Sequence, residues 1–158
     1  DVPVPEVVAP VAPATPDIAE PSAGGEAHVH GAGEFAVAVD GDVLTVTLDA
    51  PLANFGLGEG DTDTLEVSTG IGEGLVSFVG GANCQPGDRR IETRTVGDHS
   101  GLTLTLSFTC KDIEALEGVR LNAFSEFPGF ETVNAIFIGP DKQVAGVLTA
   151  GNPELSTR

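Results

Sequence analysis

Basic residues are scarce in this sequence: seven Lys and Arg stand against 24 Asp and Glu, for a net charge of −17. Binding to a nucleic-acid backbone or an anionic membrane surface needs a basic face, so neither is an expected partner. Met, Tyr and Trp are absent altogether. Without Met there are no thioether ligands of the kind a Cu(I) carrier uses. A chain that opens on Asp1 and holds no Met is also expected to have lost a targeting peptide. No run of 18 apolar residues occurs, so no membrane-inserted helix is expected. Neither a G-x-S-x-G elbow, nor a catalytic cysteine arrangement, nor an H-E-x-x-H helix is present, and the expectation is a non-enzyme.

What the sequence does contain points to strands. Val, Thr, Leu and Phe are frequent, with 21 Gly and 11 Pro, and there is little helical periodicity. Six of the 11 prolines fall in residues 1–25, which read as an extended, semi-rigid linker. A β domain is expected over 26–150, followed by a frayed tail over 151–158. The linker suits a tethered, exported protein, and a lipid anchor on it would require a cysteine just upstream of Asp1.

The clearest hairpin lies just beyond the linker. Phe35, Val37 and Val39 alternate with polar or small residues, and Leu44, Val46 and Leu48 do so beyond the turn. A two-residue turn at Asp40-Gly41 would pair Val39 with Asp42, Val37 with Leu44 and Phe35 with Val46, placing both apolar sets on one face. Pro51 ends the second strand. Residues 54–64 form a glycine-rich acidic loop whose Asp61 and Asp63 lack the spacing of a calcium loop. Short strands are expected at 65–67 and 75–79.

A second hairpin follows, with strands at 89–96 and 102–109 and a tip of Gly97-Asp98-His99-Ser100-Gly101. Leu102, Leu104, Leu106 and Phe108 would face inward. Pairing Val96 with Leu102 sets Asp88 opposite Cys110 and brings Cys84 one turn away. An even pair of cysteines in a β-rich chain points to one disulfide, Cys84–Cys110, and an oxidising compartment. A short helix over 112–116, with Asp112 as its N-cap and Gly118 as its terminator, precedes strands at 119–124, 133–138 and 144–149. The expected fold is all-β: an antiparallel sandwich or barrel of about seven to nine strands with one short helix and one disulfide.

Two of the three histidines, His28 and His30, stand in Glu26-Ala27-His28-Val29-His30-Gly31. In a strand they share a face, with Cα atoms roughly 6.5–7 Å apart, so both imidazoles can reach one ion. Extending the hairpin's phase backwards turns Val29 inward and leaves Glu26 beside the two rings, unless Gly31 and Gly33 introduce a bulge. His99 is the natural third ligand if the tip of the second hairpin lies beside the start of the first strand. Glu26 and Asp98 are candidate fourth ligands or hydrogen-bond partners of the ligands. Zn²⁺ suits imidazoles completed by a carboxylate or water. An H-x-H spacing is common, however, and the competing reading is solvated histidines on a tethered interaction or adhesion module.

The order of these motifs resembles the bacterial ZrgA-like family of periplasmic zinc-binding proteins. The resemblance starts at His28-Val29-His30-Gly31-Ala32-Gly33-Glu34 and passes through Val39-Asp40-Gly41, Leu44, Pro51, Asn54, Cys84, His99, Cys110 and Leu116. It ends with Phe124-Ser125-Glu126-Phe127-Pro128-Gly129, Gly139, Gln143 and Leu148-Thr149. The resemblance implies a β-rich, exported zinc binder in zinc acquisition, with His28, His30 and His99 at family histidine positions and an uptake transporter as partner. Two departures stand out. The family's histidine- and aspartate-rich insertion is replaced by a stretch with Glu59, Asp61 and Asp63 but no histidine, which favours one site over multi-site storage. The family's acidic residue after the central histidine is also missing, since Ser100-Gly101 follow His99.

Overall fold

A computed structural model describes residues 30–57, 72–96 and 99–158. The linker, the first histidine, the loop aspartates, the strand expected at 65–67 and the tip residues 97–98 lie outside the described residues.

The chain forms β1 (Ala32–Asp40), β2 (Val43–Pro51), β3 (Val76–Gly80), β4 (Cys84–Val96), β5 (His99–Cys110), β6 (Leu116–Leu121), β7 (Thr132–Ile138), β8 (Gln143–Leu148) and β9 (Glu154–Ser156). A six-stranded sheet has the order β4-β5-β2-β1-β7-β8, and a three-stranded sheet has the order β3-β6-β9. Ladders are antiparallel except for β1 with β7. Phe35, Val37, Leu44, Val46 and Leu48 from the first hairpin join Leu102, Leu104, Leu106 and Phe108 in a single buried cluster. The smaller sheet contributes Val76, Leu116, Val119, Leu121 and Leu155 to the same cluster. The fold is an all-β sandwich, as the strand patterning predicts. No helix among the described residues is long and apolar enough to cross a membrane.

The first hairpin faces the core as expected, in a register shifted by two. Asp40 pairs with Val43, Val39 with Leu44, Val37 with Val46 and Phe35 with Leu48. The central turn residues are Gly41-Asp42 rather than Asp40-Gly41. Gly41, at φ 65°, supplies the positive φ that the first central position of a primed turn requires, so Asp40 stays in the ladder. A shift of two preserves the faces.

The second hairpin also closes more tightly than expected. Val96 pairs with His99 and Thr95 with Ser100, and the Thr95 and Ser100 hydroxyls lie 3.0 Å apart in a hydrogen bond. The ladder therefore extends to His99, which is the first residue of a strand instead of the middle of a loop. At the other end the register shifts between Pro86 and Arg89, where the Asp88 N–H donates to Ser107 Oγ at 2.8 Å. That irregularity sets Cys84 directly opposite Cys110, and the two form the disulfide with Cα atoms 3.9 Å apart.

Three expectations for the C-terminal half need correction. The helix expected over 112–116 is a single turn of 3-10 helix, Ile113–Ala115, without a side-chain cap from Asp112, and Leu116 already begins β6. The strand expected to run to Phe124 stops at Leu121. Asn122 leaves the ladder by donating its side-chain amide to Ser77 Oγ at 2.7 Å and to the Gly74 carbonyl at 3.1 Å. A turn of α-helix then follows as α1 (Ala123–Glu126). The end of the chain is not frayed. β9 pairs with β6, Leu155 is buried, and the Thr157 hydroxyl donates to the Leu116 carbonyl at 3.1 Å.

Candidate metal centre

The topology explains why two of the histidines meet. β1 and β5 both run antiparallel to β2, one on each side of it, so both begin where β2 ends. Glu34 of β1 and Thr103 of β5 both lie level with Asp49 of β2. His30 stands four residues before Glu34, and His99 four residues before Thr103, so the two occupy matching positions. Even-numbered residues of β5 from Ser100 to Cys110 are buried, which turns His99 outward. Two strands apart, Cα atoms would lie roughly 9.5 Å from one another across an intervening strand. Here β2 gives way at Pro51 to a 3-10 turn, Leu52–Phe55, and the imidazoles lean across its departure. Their ring centroids are 6.4 Å apart at an interplanar angle of 73°, and both residues are exposed.

Two imidazoles sharing a tetrahedral zinc at Zn–N distances near 2.0–2.1 Å would place their centroids roughly 5 Å apart. The observed separation is within reach of that arrangement by side-chain rotation. Among the described residues, no three His, Cys, Asp or Glu side chains gather around one point, and His30 with His99 make a pair. His28, Glu26 and Asp98 lie outside the described residues.

The backbone beneath His30 is held by a residue that the sequence pattern does not single out for this task. Asn54 is buried in the 3-10 turn after β2. Its Oδ1 accepts the Gly31 N–H at 2.8 Å, and its Nδ2 donates to the Ala32 carbonyl at 2.9 Å. These two bonds dock the chain just after His30 onto the end of β2. Gly31, at φ 91°, makes the bend that separates His30 from β1.

Asn54 is held in turn by the aromatic segment at 124–130. Phe55 packs edge-on against Phe127 and Phe130, each at a centroid distance of 5.1 Å. Gly129 lies so close to Asn54 that a Cβ at that position would meet the Asn54 carbonyl oxygen at 2.6 Å. The family motif Phe124-Ser125-Glu126-Phe127-Pro128-Gly129 thus acts as a clamp under the histidine end of the sheet.

A carboxylate lies against this end of β1. The Gly31 carbonyl accepts the N–H groups of Glu131 and Thr132 at 2.7 and 3.0 Å, and the Glu131 side chain folds against Gly31. Glu131 is absent from the sequence-derived set because its proximity arises from the parallel pairing of β1 with β7, with Ala32 opposite Thr132. No local spacing records a contact across 100 positions. On the same outer surface Glu34, Asp49 and Glu92 lie in one cross-strand row through Thr103. Arg94 reaches Asp49 at 3.5 Å and Arg90 reaches Glu92 at 3.1 Å, so the row itself is largely offset. The net charge of −17 over the whole chain favours approach of a cation.

The described part of this end is an exposed imidazole pair, with Glu131 folded against Gly31 and a row of carboxylates four residues further along the strands. The chain belongs to the ZrgA family: the family described as ZrgA family zinc uptake protein matches residues 27–157. Its role is therefore related to zinc, and the family is one of uptake proteins rather than enzymes. No curated protein matches the chain.

Proposed function

We propose that this chain binds zinc through His28, His30 and His99, with Glu26 or Asp98 as a fourth ligand or a partner of the ligands, and acts without catalysis as a carrier or buffer. We place it in the periplasm, exported and passing the ion to an uptake transporter. The observation that supports this reading best is the convergence of His30 and His99, from strand ends 69 positions apart, to a ring separation of 6.4 Å. Neutral imidazole is an ordinary zinc ligand, and a carboxylate or water completes a four-coordinate shell. Solvent exposure of both rings suits uptake and release more than permanent structural binding. The disulfide agrees with an oxidising compartment.

Calorimetry on tag-free protein stripped of metal tests the proposal. One zinc per chain is expected to bind, and the heat is expected to disappear in H28A/H30A. Equal binding by wild type and the double variant would contradict it.

A further inference from the structure

The opposite end of the sandwich holds a cleft of about 710 Å³. It lies at the far end of β1 from His30, between the β1–β2 turn, the turn after β7 and the 3-10 turn before β6. Phe137 and Leu116 form a buried floor, and Val39 and Ile113 are half-buried at its sides. Asp40, Glu114 and Asp141 stand exposed at the mouth, against one cation, Lys142. The volume falls within the roughly 300–1,000 Å³ range of ligand-binding clefts, and an apolar floor with a few charged groups at the rim is their usual chemistry.

We infer that this cleft is a docking groove for a short segment of a partner protein that carries a cationic side chain beside an apolar one. Charge complementarity identifies the occupant. Three carboxylates against one ammonium repel an acidic segment and attract a basic one, and the chain's net charge of −17 reinforces that choice. The apolar floor supplies what charge alone lacks, a surface whose burial rewards one position over the rest of an acidic molecule. β1, at nine residues, separates the groove from the histidine end by roughly 30 Å, so an occupant leaves the imidazoles uncovered. The inference does not depend on metal binding.

Amide chemical shifts of the ¹⁵N-labelled full chain, stripped and then loaded with zinc, test it. The probe is an acetylated tetrapeptide of alternating arginine and leucine. Matched peptides replace arginine by glutamate, or leucine by glycine. Saturable shifts are expected at Val39, Gly41, Ile113, Phe137 and Gly139 with the arginine–leucine peptide, alike in both metal states. The D40N/E114Q/D141N variant and the glycine peptide should each bind at least tenfold more weakly, and the glutamate peptide should produce no shifts. Three results would overturn the inference: no saturable shifts, unchanged affinity in the triple variant or for the glycine peptide, or equal shifts along the row Glu34, Asp49 and Glu92. The last would mark general attraction of cations by an acidic surface.

Discussion

The side chain of Asn54 holds the backbone on both sides of the Gly31–Ala32 peptide, accepting the Gly31 N–H at 2.8 Å and donating to the Ala32 carbonyl at 2.9 Å. Asn54 is not a metal ligand in this account, yet it sets where His30 leaves the sheet. Replacing it by Ala strands a buried donor and a partly buried acceptor, at a cost of about 1–3 kcal/mol. N54A is expected to lower the midpoint of urea unfolding and to weaken zinc binding by at least tenfold under conditions where the variant is still folded. Unchanged zinc affinity in folded N54A would show that His30 needs no such anchor.

Gly129 tests the next layer down. A Cβ there would meet the Asn54 carbonyl oxygen at 2.6 Å, and backbone, not a flexible side chain, would have to yield. G129A is expected to destabilise by about 1–3 kcal/mol. It should also move the amide resonances of Asn54 and Gly31 in NMR spectra. If G129A is as stable as wild type, the clamp does not act as described.

The disulfide gives the converse case. Cys84 and Cys110 close the open end of the β4–β5 hairpin, whereas His99 begins β5, 11 positions from Cys110. Breaking a loop of this size in C84S/C110S should cost about 3–4 kcal/mol in the chain-entropy model. Zinc affinity of the folded variant should stay within about threefold of wild type. A loss of affinity comparable to H28A/H30A would mean that the disulfide positions His99 directly.

His99 itself separates stability from binding. Its ring is exposed, so H99A should change unfolding free energy by no more than about 0.5 kcal/mol. Zinc affinity should fall at least tenfold in calorimetry. Equal affinity in H99A would remove the residue from the shell.

Much of this arrangement is legible before the structure. Alternation in β1, β2 and β5 identifies the inward face, because period-2 patterning survives a register error of two. The registers themselves are not legible. Whether Asp40 or Gly41 opens the turn depends on which residue takes the positive φ, and the length of the second hairpin depends on a hydrogen bond between the Thr95 and Ser100 hydroxyls. The pairing of His30 with His99 follows from the strand order β5-β2-β1, a tertiary fact that H-x-H spacing cannot contain. Asn54 and Gly129 show as motif residues in the sequence without revealing a task. Glu131 leaves no local mark. The docked end at β9 is missed because Glu154–Ser156 is too short for a periodic signal, and its burial comes from β6.

The three histidines are expected to close on one zinc ion. Long-range ¹H–¹⁵N spectra of the imidazole rings, recorded as zinc is added to the stripped chain, address it directly. One nitrogen in each of His28, His30 and His99 is expected to shift together, with the change complete at one zinc per chain. A His99 ring whose nitrogens stay unmoved while His28 and His30 respond would contradict the account.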